Sequence, residues 1–279
     1  MTAGWMPSSH GDSPSADARS VIVSRLRAAG CVFAEDEMRL LVSAARTPAE
    51  LAAMVDQRVS GLPLEPIVGW AEFCGLRIAV DPGVFVPRRR TEFLAHEAAE
   101  VARAGVVVVD LCCGSGALGT ALAESVPGIE LYAADIEPAA VRCARRNVVP
   151  VGGQVFEGDL YDPLSATLRG RVDILVVNAP YVPTEAIEQM PPEARLHEPR
   201  VTLDGGHDGL DVQRRVVAEA SRWLVAGGHL LIETSGRQAP LLVDTFARNG
   251  LIPRVASSDE LGATVVIGTS PAASDAPAG

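Results

Sequence analysis

Lysine is missing altogether from this 279-residue chain, so arginine supplies every permanent side-chain cation, and acids outnumber cations enough to leave a formal charge of −11. A net negative chain is a poor general partner for nucleic acid, whose phosphates must be met by a basic face, so no direct nucleic-acid binding is expected. The five cysteines, Cys31, Cys74, Cys112, Cys113 and Cys143, include no Cys-x-x-Cys pair and no regular spacing with histidine. That argues against zinc ligation and against a disulfide framework, and no metal is expected. His197, His207 and His229 also lack ligand spacing. No apolar run approaches the roughly 20 residues that cross a bilayer. The start, MTAGWMPSSHGDSPSADARS, has neither the basic opening nor the apolar centre of a signal peptide. Membrane association is therefore not expected, and a reducing cytoplasm is the expected location.

What is present is 48% hydrophobic residues, enough for one large core or for a core domain carrying a smaller one. Residues 1–16 and 269–279 are rich in Ser, Pro, Gly, Ala and Asp and read as disordered tails. From 17 to 61 the apolar residues recur at helical spacing, with Thr47 as an N-cap, Pro48 in a first turn and Gly61 as a stop, so a small domain of about three helices is expected. Residues 62–90 hold short apolar runs broken by proline, which suggests a β-hairpin linker leading into a helix from about Thr91 to Ala104. Over 91–268, Val/Ile/Leu strands alternate with amphipathic helices until two final strands that have no helix between them. This is an α/β pattern: a mostly parallel, Rossmann-like sheet covered on both faces and closed by an antiparallel hairpin.

The first chemical motif is VVVVDLCCGSGALG, where Gly114, Gly116 and Gly119 fit Gly-x-Gly-x-x-Gly between a strand and a helix. The glycines alone would also suit a nicotinamide dinucleotide. Asp110 ends this strand, Asp135 ends the next (ELYAAD), and Asp159 follows the third (FEGDL). An acid ahead of the glycine turn suits an ammonium group, one at the second strand suits ribose hydroxyls, and one at the third suits an adenine amino group. S-adenosylmethionine carries all three groups.

The second motif is DILVVNAPYVPT, which delivers Asn178, Ala179, Pro180 and Tyr181 at the end of the fourth strand of the alternating region. An asparagine side-chain carbonyl and a neighbouring main-chain carbonyl can accept both hydrogens of a planar NH2 group, with Tyr181 as a flat face beside it. Four such letters in isolation would describe an ordinary Asn-x-Pro turn.

These segments resemble the class I S-adenosylmethionine-dependent methyltransferases, and within them the HemK/PrmC-like protein-(glutamine-N(5)) methyltransferases. That family has Asn-Pro-Pro-Tyr where this chain has NAPY, and the resemblance extends through PLEPIVGWAEF, VFVPRRRTEF, DLCCGSGALG and HEPRVTLDGGHDGLDVQRR. It implies methyl transfer from S-adenosyl-L-methionine, giving S-adenosyl-L-homocysteine, to a glutamine amide, most typically in the Gly-Gly-Gln loop of a peptide chain release factor. By position, Asn178 and the Ala179 carbonyl would hold the amide, Pro180 would shape the turn and Tyr181 would pack on the target. Asp110, Cys112, Gly114 and Gly116 would line the methionine end of the cofactor, Asp135 the ribose, and Asp159 with Leu160 the adenine. Phe85, Arg88, Thr91 and Glu92 match the family's linker motif, and the helices before it resemble a substrate-recognition domain that is shorter here.

Two departures stand out: Cys112 where the family has glycine, and Ala179 in place of its first proline. Arg89 and Arg90 read as a solvated charged face, Cys112 and Cys113 as structural. The tripeptide Gly152-Gly153-Gln154 matches the family's target but sits at a turn, where glycines are common. A ribosomal-protein glutamine, an adenine amino group and a cofactor-binding paralogue without activity remain as alternatives.

Overall fold

The computed structural model describes residues 14–272, so the disordered tails expected at 1–16 and 269–279 lie outside the described residues except at their inner ends. Those inner ends are ordered: the Ser15 hydroxyl accepts from the amide of Ala18 and caps a helix, and the last strand runs to Thr269. The described residues form two compact units that divide between Gly69 and Trp70.

Within the first unit, α1 (Ala16–Ala28), α2 (Ala34–Ala44) and α3 (Pro48–Val59) are followed by a fourth, short helix, α4 (Leu64–Val68). Sequence reading assigns α4's residues to the linker because of Pro63 and Pro66. Proline is tolerated in a first helical turn, however, because the amides there have no intrahelical acceptor, and Gly69 at φ 84° ends the helix in left-handed backbone. Leu26, Ala34, Met38, Leu41, Met54 and Val55 form this unit's core. At its edge the Arg58 guanidinium donates to both oxygens of Glu37, at 2.6 and 3.1 Å.

The second unit opens with an antiparallel hairpin, β1 (Trp70–Phe73) and β2 (Leu76–Ala79), and a 3-10 turn at Arg89–Thr91 that leads into α5 (Glu92–Val101). Next come β3 (Val107–Leu111), α6 (Ala117–Ser125), β4 (Glu130–Asp135), α7 (Pro138–Val148), β5 (Gln154–Glu157) and β6 (Val172–Val177). After α8 (Pro192–His197) and α9 (Asp211–Ala220), β7 (Leu224–Thr234), α10 (Ala239–Arg248), β8 (Ile252–Ser258) and β9 (Ala263–Thr269) complete it. The seven strands lie in the order β5-β4-β3-β6-β7-β9-β8, parallel except for β9, which runs antiparallel to both neighbours.

The continuous apolar runs are explained by burial on both faces. Val107, Val109 and Leu111 enter one core cluster and Val108 the other; Leu175 and Val177 likewise oppose Ile174 and Val176. Among the described residues no helix is long and apolar enough to cross a membrane, and no group of three His, Cys, Asp or Glu could hold a metal ion.

Candidate active site

The strand order reverses at β3: the chain moves outward to β4 and β5, then returns to place β6 on β3's other side. Such a switch point leaves a crevice at the carboxyl ends of the strands, because the loops there diverge to opposite sides. Register brings the two motifs to that crevice. Leu111 pairs with Val177, so the glycine turn after β3 and Asn178 after β6 leave the sheet side by side. Leu111 also pairs with Ala134, Asp135 with Glu157, and Val177 with Ile232, which sets Asp135, Cys112, Asn178 and Glu233 along one edge.

The glycine turn is held by its two acids. Asp135 accepts from the amides of Gly114 at 2.8 Å and Glu137 at 2.9 Å. Asp110, 1% exposed, accepts from the amide of Gly119 at 2.9 Å. Since α6 has no local side-chain cap, Asp110 caps it from the preceding strand and satisfies one of its unpaired first-turn donors. Burial pushes the Asp110 carboxyl up to about 7, against the pull of the Gly119 amide and with a further push from Asp135; burial also raises Asp135. Gly114 has φ 56° with open space where a Cβ would stand, whereas a Cβ on Gly116 would lie 2.6 Å from Val148. The first position leaves the main chain accessible to a ligand, and the second is tight helix packing. Cys112 has φ 56° and Leu160 φ 48°, two of the three left-handed non-glycine residues among those described. Left-handed backbone at a side-chain-bearing residue is strained, and such strain gathers at ligand sites.

On the other side of the crevice the Asn178 amide nitrogen donates to the Thr91 hydroxyl at 3.1 Å, which directs its carbonyl oxygen away from Thr91. No hydrogen bond of the described chain occupies that oxygen or the main-chain carbonyl of Ala179, itself 1% exposed. The Tyr181 hydroxyl donates to Glu233 at 3.1 Å, and the Gln238 amide donates to the Tyr181 carbonyl at 2.9 Å. Two adjacent acceptors thus stand beside a fixed ring.

The profile of the Methyltransferase small domain family matches residues 75–206. The release factor glutamine methyltransferase of Geobacter sulfurreducens is 39% identical over 226 residues, covering 79% of this chain and 78% of its own. The chain belongs to the release factor glutamine methyltransferase family. A further relative, the 4-amino-L-phenylalanine/4-methylamino-L-phenylalanine methyltransferase of Streptomyces pristinaespiralis, is 34% identical over 84% of this chain and 82% of its own. In fold, a Pyrococcus furiosus methyltransferase superposes with a TM-score of 0.54 at 15% identity, over 71% of this chain and 90% of that one.

In this member of the release factor glutamine methyltransferase family the remaining sequence-selected residues divide. Thr91 joins Asn178. Glu92 turns instead to the hairpin, where it accepts from the amide of Cys74 at 3.2 Å. The Arg88 guanidinium lies 4.9 Å from the centre of the Phe85 ring and pairs with Glu198, whose carboxyl is raised by burial. Asp159 is engaged by Arg215 of α9 at 2.6 Å, so it is shared rather than free. Leu160 is 9% exposed beside it. Burial pushes the Cys112 and Cys113 thiols far up, with the neighbouring acids adding to the effect, so neither supplies a thiolate.

Arg90, like Arg89, is exposed, as the solvated face read from sequence expects, but it also has a buried partner. The Arg90 guanidinium donates to Glu233 at 3.1 Å and lies 5.7 Å from the centre of the Tyr181 ring. Sequence reading also passed over Glu233, Glu198, Asn147, Arg215 and Gln238. Glu233 carried a usable signal, an acid at the carboxyl end of a parallel strand, the same signal that singled out Asp110 and Asp135. The others become visible only through partners 30 or more positions away.

Proposed function

We propose that this methyltransferase transfers a methyl group from S-adenosyl-L-methionine to the side-chain amide nitrogen of a glutamine in the Gly-Gly-Gln loop of a peptide chain release factor. The observation that carries the reading is the pair of unoccupied acceptors, the Asn178 side-chain oxygen and the Ala179 carbonyl, at the switch point beside the glycine turn.

The residues at the crevice fit the cofactor. Open space at Gly114 admits a ligand against main chain, and we assign Asp110 to the ammonium side and Asp135 to the ribose side of that turn, whose amides they hold. Cys112 and Gly116 complete the turn, and Leu160 with Asp159 would flank the adenine, Arg215 sharing the acid. When bound, the cofactor supplies an electrophilic methyl on a sulfonium, and S-adenosyl-L-homocysteine remains.

Everything else falls to the chain. An amide nitrogen is a weak nucleophile because its lone pair is delocalised into its carbonyl. Asn178 and Ala179 hold both of its hydrogens and thereby aim the nitrogen, and their oxygens stabilise the positive charge that develops there. Positioning of this kind supplies roughly 7–11 kcal/mol. The proton is shed after transfer, when it has become acidic, so no side chain is assigned as a general base. We assign the helices α1–α4, Ala16 to Val68, to recognition of the protein substrate, and the reaction to the cytoplasm, where release factors work.

The deciding experiment offers labelled cofactor with a release factor, a ribosomal protein and 4-amino-L-phenylalanine in parallel, because the same clamp accepts any planar NH2 group. Methylation of the release factor at the Gly-Gly-Gln glutamine is expected. Asn178→Ala is expected to lower turnover roughly a hundredfold or more, in the range seen when one preorganised polar group is removed, with cofactor still bound. Label on the free amino acid alone, or full turnover in the variant, would overturn the reading.

A further inference from the structure

Tyr181 is the one ring of the NAPY loop, and its hydroxyl ends on a carboxylate from the neighbouring strand. Glu233 stands one residue from the end of β7 with 1% exposure, and the same oxygen accepts from the Tyr181 hydroxyl and from Arg90, each at 3.1 Å. Its other carboxylate oxygen is buried without a hydrogen-bond partner. Below, the Gln213 amide donates to the Glu233 carbonyl at 3.0 Å, so the main chain carrying this acid is fixed as well. Arg90 closes a triangle: it binds the acid through its Nε while its guanidinium lies beside the ring that the acid holds.

A buried carboxylate with a free oxygen is costly, and a neutral residue in this place would relieve the cost. An ion pair to a half-exposed arginine does not account for the burial, since exposed pairs contribute little. What the charge does achieve is directional. One oxygen accepts from the phenol and from Arg90 together, at 3.1 Å each, so ring and guanidinium are held to a single atom. Burial, with the Glu233 charge, also holds the phenol well above its usual range and so keeps it a donor.

We infer that Glu233 is a positioning residue for methyl transfer: through Arg90 and the Tyr181 hydroxyl it fixes the plane of the ring against which the methyl-accepting NH2 group is held. This rests on the clamp reading of Asn178 and Ala179 above. Glu233 belongs to a different strand from the clamp and faces Tyr181 and Arg90, not the glycine turn, so its loss separates acceptor alignment from cofactor binding.

The test is a double-mutant cycle of Tyr181→Phe and Glu233→Ala in the full chain, with Glu233→Gln as the conservative variant. Each single variant is expected to lower kcat on the release factor roughly tenfold, the size of one such hydrogen bond, with cofactor affinity within about twofold of wild type. The double variant should lose no more than the worse single one, and Glu233→Gln should recover part of the loss by still accepting from the phenol. Losses that multiply, cofactor affinity that falls in step, or turnover unchanged in Tyr181→Phe would each overturn the role. The same cycle read as thermal midpoints without substrate isolates the contact itself, and independent losses there overturn it whatever the acceptor is. Wild-type protein that leaves the release factor unmethylated overturns the substrate assignment instead, and the thermal cycle still decides the contact. If Glu233→Ala fails to fold, Glu233→Met, which keeps the volume and removes the acceptor, completes the cycle with Tyr181→Phe.

Discussion

Cys112 occupies left-handed backbone at φ 56° in the turn that faces the proposed cofactor site. A side chain there costs about 1 kcal/mol that glycine would not incur. Its thiol, partly buried against the core, returns some of that through packing. Cys112→Gly is therefore expected to leave stability unchanged or raise it by up to about 1 kcal/mol, with cofactor affinity equal or tighter. Urea unfolding and calorimetric titration with S-adenosyl-L-homocysteine read both quantities; a loss above that size would show that the thiol's packing outweighs the strain. Ala179 is the milder departure. The clamp uses the main-chain carbonyl of this residue, which alanine has as well as proline, and only the fixed φ is lost.

Between elements, Asn147 of α7 acts as a three-way tie. Its carbonyl accepts from the amide of Ala79 at 2.9 Å, and its nitrogen donates to the carbonyls of Ala79 at 3.0 Å and Ser115 at 2.8 Å. The end of the β-hairpin, α7 and the glycine turn are thus joined through one side chain that is 8% exposed. Removing it leaves the Ala79 amide and the Ser115 carbonyl without this partner, at about 1–3 kcal/mol each, while the Ala79 carbonyl keeps the Cys143 thiol at 3.2 Å. Asn147→Ala is expected to cost about 2–4 kcal/mol in urea unfolding and to weaken cofactor binding together with stability. A loss below about 1 kcal/mol would mean that water replaces the tie. The sequence displayed Asn147 only as one polar residue near a helix end, since nothing local distinguishes a tie from a solvated asparagine. Arg215 and Asp159 pose the same difficulty: they lie 56 positions apart, and helical periodicity says nothing of which strand-end acid a helix will face.

For the molecule as a whole, the buried acids at the sheet's carboxyl edge make stability depend on pH. Asp110 keeps its proton in the folded state up to about 7, against an ordinary value of 3.8. Between those values the folded chain binds more protons at this site than the unfolded chain does. Its contribution is therefore fully present below the ordinary value and is lost as pH rises through the folded value. Asp110→Asn keeps an acceptor for the Gly119 amide but cannot titrate. Wild type is expected to lose stability relative to this variant as pH rises from about 4 to about 7, with a constant difference above that. Parallel stability profiles in urea at pH 4.5, 6 and 8 would show instead that Asp110 is ionised in the folded protein.

The sequence by itself determined the α/β alternation, the antiparallel closing hairpin and the two motifs, because hydrophobic period, glycine turns and strand-end acids are local properties of a chain. It also pointed to the carboxyl edge of the sheet, since the three acids, the glycine turn and the NAPY loop all stand at or just after strand ends. Strand order and register were decided only in the tertiary structure: Leu111 beside Val177 makes two separate motifs into one site, and Val177 beside Ile232 brings Glu233 up to Tyr181. The same holds for the allocation of charge. Asp110 became a helix cap, Asp159 a partner of Arg215, and Arg90 part of the acceptor side, because a side chain's role follows from which groups share its burial, and those groups arrive from distant parts of the chain.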